Sequence, residues 1–271
     1  MVVIAKHQPL LARLGLTTLE QFQRFEAETV ERVAGKRDVL RLRTTDEAGR
    51  DLVLFLKRHW QSHKKDGLVS LLRRGRVGSV ARSEWENAQA MQNAGFKTAA
   101  MVAYAEDCGL FWERFSCLLT EAASGSQTIG EFLRECRDRA VRRRIFDALA
   151  REVRRMHEAG LSMPDLFTRH IFFDAGAPTP EFCFIDMARL ERSRPVSRRA
   201  RVRALAALHI SAPLRSVTLR ERWRFLRLYA GRVDRRLVRS IEARTRSLLQ
   251  RKKYRDFLAP VAAAGRVDSR M

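Results

Sequence analysis

Asp165, His170 and Asp186 occur in an order and spacing that could do chemistry. Asp165 lies in the stretch Gly160-Leu-Ser-Met-Pro-Asp165-Leu-Phe-Thr-Arg-His170-Ile-Phe-Phe, just after an amphipathic helical pattern. His170, a residue able to bind metals, opens an apolar run. A turn and a second apolar run follow, and Phe184-Ile-Asp186 puts another carboxylate at that run's end. Two carboxylates so placed can take different tasks. One can position and deprotonate a hydroxyl. The other can hold a divalent cation against phosphate oxygens. With a fixed cation on the phosphates, these are the parts of a phosphoryl-transfer site.

The order matches that of a kinase catalytic loop, H-R-D-x-x-x-x-N, followed by D-F-G. Asp165 falls on the base position, His170 on the Asn position and Asp186 on the metal-binding Asp. The phosphate-binding cation is Lys57, at the end of the apolar strand pattern Asp51-Leu-Val-Leu-Phe-Leu-Lys57. Its acidic partner is Glu84 on the next helix, with Glu86 in reserve. Residues two apart do not share a helix face, so only one of the two can serve. Taken singly, Lys57 reads as a strand-end lysine, Asp165 as a turn residue after Pro164 and His170 as a structural histidine. Their shared order carries the functional reading. Imidazole can ligate metals but Mg²⁺ prefers oxygen, so His170 has alternatives: orienting Asp165, or touching a phosphate.

The elements that must position these residues change character along the chain. Residues 1–30 read as an N-terminal extension with helical content. Residues 31–121 read as a small antiparallel-sheet lobe with a single helix, Ser79–Gly95, closed by its glycine. Residues 122–250 are mostly helical and contain the loop of Asp165. One helix, Val141–Ala159, carries Ile145, Leu149, Val153 and Met156 on one face. Residues 251–271 form a basic tail. The basic loop with Lys64, Lys65, Arg73, Arg74 and Arg76 follows the Lys57 strand and is a candidate membrane contact.

Composition narrows the class. Lys and Arg number 53 against 31 Asp and Glu, a formal charge of +22. Such a field favours anionic partners: a phosphorylated glycolipid, an anionic membrane or nucleic acid. No zinc spacing, RNP-like strand or recognition helix supports a specific nucleic-acid reader. No apolar run approaches the roughly 20 residues that span a bilayer. The N-terminus lacks a secretory signal, so the expected location is cytoplasmic. The four cysteines form no C-x-x-C pair and are expected to be free thiols.

Several stretches together resemble the bacterial lipopolysaccharide kinase family, most closely the heptose kinases of the inner core. They are Phe55-Leu-Lys57-Arg-His-Trp, Ser83-Glu84-Trp85, Leu119-Thr-Glu121, Met156-His157-Glu-Ala-Gly160, Asp165-Leu-Phe-Thr-Arg-His170 and Ile185-Asp186-Met-Ala-Arg189-Leu. The similarity spans roughly residues 30–235. It implies an α+β, two-lobed, protein-kinase-like fold with a small antiparallel-sheet N-lobe and a helical C-lobe. It also implies ATP-dependent phosphorylation of a sugar hydroxyl, with heptose expected, on the anionic lipopolysaccharide core. The expected setting is peripheral, at the inner face of the inner membrane. By the same resemblance Lys57 binds phosphates, Glu84 pairs with it, Asp165 is the base and Asp186 binds Mg²⁺ with His170 assisting. Glu121 lies at the hinge, where its backbone meets adenine. The loop departs from the family's usual His-Arg-Asp and reads Met163-Pro164-Asp165. No G-x-G-x-x-G is present. The alternatives are a kinase for another acceptor, or a catalytically silent kinase fold that binds anionic membrane.

Overall fold

The computed structural model describes residues 1–60, 78–110, 112–212, 216–232 and 234–251. The basic loop with Lys64, Lys65, Arg73, Arg74 and Arg76, and the tail from residue 252, lie outside the described residues. The chain forms two compact units. The first comprises Met1–Ser124 with Cys183–Arg189, the second Gly125–Phe182 with the chain from Leu190 onward.

In the first unit, β1 (Val2–Val3), α1 (Gln8–Arg13) and α2 (Leu19–Arg24) precede β2 (Glu28–Val33), β3 (Arg37–Thr45) and β4 (Asp51–Trp60). Then come α3 (Val80–Asn93), β5 (Lys97–Thr98), β6 (Met101–Cys108) and β7 (Glu113–Glu121). Six strands form one antiparallel sheet in the order β1-β6-β7-β4-β3-β2. Side chains alternate across β4. Leu54 and Leu56 point to one face, where they pack with Leu10, Leu11, Leu16 and Phe22 of the N-terminal segment. Each such leucine or phenylalanine contributes roughly 1.5–3 kcal/mol when buried.

The N-terminal segment is short in regular structure but firmly tied. The Thr18 hydroxyl and Gln21 form a capping box at the start of α2, a motif that contributes about 1 kcal/mol. At its other end, the buried Arg58 guanidinium donates to the carbonyls of Phe22, Gln23 and Phe25 at 3.3, 2.7 and 2.9 Å. It also forms a two-point pair with Asp38, at 2.8 and 2.7 Å. β4 therefore runs on past Lys57 to Trp60. The expectation that the strand ends at Lys57 is corrected: Arg58 continues the alternation as a buried residue because Asp38 neutralises it.

In the second unit, β8 (Gln127–Thr128), α4 (Ile129–Glu135), α5 (Arg139–Glu158), β9 (Leu161–Ser162) and β10 (Ile171–Phe173) come first. α6 (Arg198–Ser211), α7 (Leu219–Ala230) and α8 (Arg235–Leu249) complete it. Thr128, Asp138, Ser197, Thr218 and Asp234 cap the five helices, each accepting backbone N–H groups. Ile145, Leu149, Val153 and Met156 are buried along α5, as their spacing predicts. Gly160 follows in the left-handed region, at φ 85°, and frees the chain to turn into the loop of Asp165.

Candidate active-site residues

Lys57 lies on an interior strand, opposite Val39 on one side and Leu118 on the other. It points to the face opposite Leu56 and Arg58. There its Nζ donates to Glu84 Oε1 at 2.6 Å. The Lys57 side chain is 19% exposed and that of Glu84 only 4%. Glu84 can meet it because α3 is fixed at its start. Ser79 caps the helix by accepting from Arg82 N–H. Val80 N–H donates to the buried Glu113 carboxylate at 3.2 Å, and Ala81 N–H to Ser116 Oγ at 3.4 Å. Glu113 and Ser116 belong to β7, so the same strand that flanks Lys57 also sets the helix. A carboxylate at a helix N-terminus is favourable in its own right.

Charge in this region is arranged around Lys57. Burial disfavours its ammonium form, but the Glu84 and Asp186 carboxylates outweigh burial and the net direction is upward. Burial pushes the Glu84 carboxyl up and the Lys57 ammonium draws it back, while Asp186 presses it up again; the net direction is upward. His59 shares the Lys57 face. Burial, then the charge of Lys57, lowers its pKa from 6.5 to about 4, so it is neutral near pH 7.

Asp186 belongs to the first unit. It follows the two-residue strand Cys183–Phe184, which pairs in parallel with β5, Cys183 opposite Lys97 and Phe184 opposite Thr98. Phe184 also packs edge-on against Phe96, ring centres 6.4 Å apart. Asp186 has a φ of 59°, the only non-glycine with positive φ among the described residues. An aspartate held in that region costs free energy that the surroundings must supply, a feature that clusters at functional sites. Asp186 offers oxygen, the donor Mg²⁺ prefers. Mg²⁺ is commonly bound by one or two carboxylates together with substrate phosphates and water. Among the described residues, no cluster of three or more His, Cys, Asp or Glu is preassembled for a metal. A site of this kind does not require one.

Glu121 closes β7. Its N–H donates to the Ala100 carbonyl and the next N–H, of Ala122, to the Val53 carbonyl, both at 2.9 Å. The Glu121 and Ala122 N–H groups are thus both engaged within the sheet. His7 Nε2 lies 3.5 Å from the Glu121 carboxylate, and burial lowers the His7 pKa.

In the second unit, the Asp165 loop is held mostly by hydrogen bonds to backbone carbonyls and hydroxyls. Thr168 N–H donates to Ser211 Oγ and Thr168 Oγ1 to the Ser211 carbonyl, both at 2.9 Å. Phe167 N–H donates to the Asp165 carbonyl at 2.7 Å, and His170 N–H to the Phe167 carbonyl at 2.9 Å. His170 Nδ1 lies 2.9 Å from the Asp165 carbonyl, and Arg169 Nε donates to His170 Nε2 at 3.0 Å. Arg169 can only donate. Nε2 must therefore accept, and Nδ1 carries the proton it gives to Asp165. Both ring nitrogens are engaged. The contact of Nδ1 with the Asp165 carbonyl suits the alternative in which His170 orients Asp165. Met163, at the position of the family's His, is fully buried, whereas Asp165 is half-exposed.

Among the described residues, no helix is long and apolar enough to cross a membrane. All four cysteines are free.

Residues 20–229 match the lipopolysaccharide kinase (Kdo/WaaP) family. The chain is 30% identical over 194 residues to the lipopolysaccharide core heptose(I) kinase WaaP of Pseudomonas aeruginosa PAO1, covering 66% of this chain and 72% of that protein. It is 26% identical over 195 residues to the protein of the same name from Escherichia coli K12, covering 68% and 72%. A solved structure of WaaP in complex with acyl carrier protein superposes with a TM-score of 0.63 at 24% identity, over 97% of this chain and 99% of that one. The fold is thus the α+β, protein-kinase-like one. The activity is that of a kinase, a phosphotransferase with an alcohol acceptor that uses ATP. The chain therefore belongs to the lipopolysaccharide kinase (Kdo/WaaP) family.

Proposed function

We propose that the protein transfers the γ-phosphate of ATP to a heptose hydroxyl of the lipopolysaccharide inner core. The observation that carries this reading is the buried Lys57–Glu84 pair at 2.6 Å, with the Asp186 carboxylate acting on the same ammonium. A lysine held protonated by two carboxylates is suited to the α- and β-phosphates of ATP. The heptose acceptor is supported by the names of the relatives.

Each residue then has a task. Lys57 holds phosphate oxygens, and Glu84 keeps its Nζ in place. Asp186 offers its carboxylate to Mg²⁺, which when bound neutralises charge developing on the β- and γ-phosphate oxygens. Asp165 accepts the proton of the sugar hydroxyl as that oxygen attacks. His170 and Arg169 fix the Asp165 backbone, so that its carboxylate needs little reorganisation. Glu121 marks the adenine edge through its carbonyl.

The setting we infer is cytoplasmic and peripheral at the inner membrane surface. The charge of +22 supports attraction to anionic lipid. Leu219 and Trp223, 71% and 38% exposed, stand one turn apart on α7 beside the exposed Arg220 and Arg227. Apolar and Trp side chains flanked by arginine suit a lipid headgroup boundary.

The test is transfer of labelled phosphate from ATP to purified lipid A–core, with the product's phosphorylated sugar located by mass spectrometry. Label on heptose supports the reading. Label on another sugar would reassign the acceptor. Nucleotide binding without any transfer would favour a silent kinase fold.

A further inference from the structure

We propose that Asn87 is a positioning residue for Asp186, holding the segment Asp186-Met187-Ala188 onto the helix that carries Glu84. This rests on the reading of Asp186 as the metal-binding carboxylate and extends it to a residue that touches neither metal nor nucleotide.

Asn87 follows Glu84 by three positions and so shares its face of α3. It is 1% exposed. Its Nδ2 donates to the Met187 carbonyl at 2.9 Å and to the Ala188 carbonyl at 3.2 Å. Both partners are acceptors, so only the amide nitrogen fits there and the orientation of the carboxamide follows. The two bonds fall on the first two residues after Asp186, whose backbone is in the left-handed region. Upstream, Cys183 and Phe184 pair with Lys97 and Thr98, which follow the same helix through Gly95. The Asp186 segment is thus gripped before and after the carboxylate by one helix–strand unit.

Packing alone does not account for an amide here. Asn87 Oδ1 is buried and meets no hydrogen-bond partner among the described residues. A buried acceptor left unsatisfied costs stability that a hydrocarbon of similar shape would not. Leucine fills a comparable volume, removes that cost and removes the two bonds to the Asp186 segment. A purely structural role predicts a change in overall stability, set by the freed Met187 and Ala188 carbonyls against the relieved Oδ1, with no effect specific to the metal. A positioning role predicts a local loosening and a loss specific to the metal.

The experiment compares wild type with Asn87→Leu by two readouts. Hydrogen exchange of the peptide spanning residues 183–189 should speed up about tenfold in the variant, the equivalent of one to two net hydrogen bonds. Affinity for Mg·ATP should fall about tenfold, while affinity for ATP in chelator stays that of wild type, because only the metal-held part depends on Asp186. Asn87→Gln, which keeps the donor, should recover part of both. Should the leucine variant fail to fold, Asn87→Ala reads the same two quantities. Unchanged exchange at 183–189, or equal loss of Mg·ATP and metal-free ATP, would overturn the proposal. A wild type that binds no nucleotide would remove the kinase-site reading instead. The exchange rates decide the grip on the segment without any ligand.

Discussion

In the first unit, Lys57 reaches Glu84 at 2.6 Å, and both side chains are largely buried beside the field of Asp186. In the second, the Asp165 loop is held by Thr168, Ser211, His170 and Arg169 through hydrogen bonds of 2.9–3.0 Å, most of them to backbone carbonyls or hydroxyls. The first arrangement concentrates charge that, on the proposed function, meets the phosphates, and its parts depend on each other through Coulomb interactions that a low-dielectric setting strengthens. The second fixes a backbone and leaves one carboxylate half-exposed, which suits a group that must exchange a proton with an incoming hydroxyl. The contact that orients the loop comes from downstream, from the His170 imidazole to the Asp165 carbonyl.

If that division is right, substitutions in the two regions should fail in different ways. The largest effect is expected for Asp165→Ala: turnover falls by about 10²–10⁴-fold, the usual worth of a positioned base, while calorimetry finds Mg·ATP affinity unchanged. Lys57→Met comes next, with kcat/KM down about 100-fold, on the scale of losing a fixed charge from the phosphates. Adding Glu84→Gln to that variant should change little further, because coupled groups are not additive; an additive double variant would break the idea of a single unit. His170→Ala is milder. Turnover should drop about tenfold through loss of loop orientation, with the Mg²⁺ dependence of the rate unmoved. A shifted Mg²⁺ requirement would return His170 to the metal.

The smallest effect is shared by both regions. His59 in the first unit and His157 in the second are each lowered from 6.5 to about 4, by burial first and then by Lys57 and Arg201 respectively. Unfolding releases them to ordinary values, so the unfolded chain binds more protons below pH 6.5. Their contribution is complete above that pH and is lost as pH falls toward 4. Thermal melts should therefore be flat from pH 8 to 7 and decline below 6.5. His59→Gln and His157→Gln should each shallow that decline.

Much of this was legible in the residues. The order of Lys57, Glu84, Asp165 and Asp186 places them on the strand, helix and loops where the structure has them. The α5 stripe of Ile145, Leu149, Val153 and Met156 is buried as its period requires. Other features depend on distant partners. Arg58 reads as the polar end of a strand until Asp38 and the carbonyls of α2 are seen around it. Leu10, Leu11 and Phe22 lie in two helices too short to show a period, and Leu16 lies in the turn between them, so their place in the sheet's core was not readable. The Thr18–Gln21 capping box was the local sign of order there. Asn87 is a polar residue mid-helix, and only its spacing from Glu84 hinted at a buried face.

The most direct test of the account is calorimetry of Mg·ATP and of metal-free ATP with wild type and Asp186→Ala. The variant should lose most of the Mg²⁺-dependent gain in affinity and keep its binding of metal-free ATP. Equal affinity of wild type and variant for Mg·ATP would contradict it, because the Asp186 carboxylate would then hold no metal.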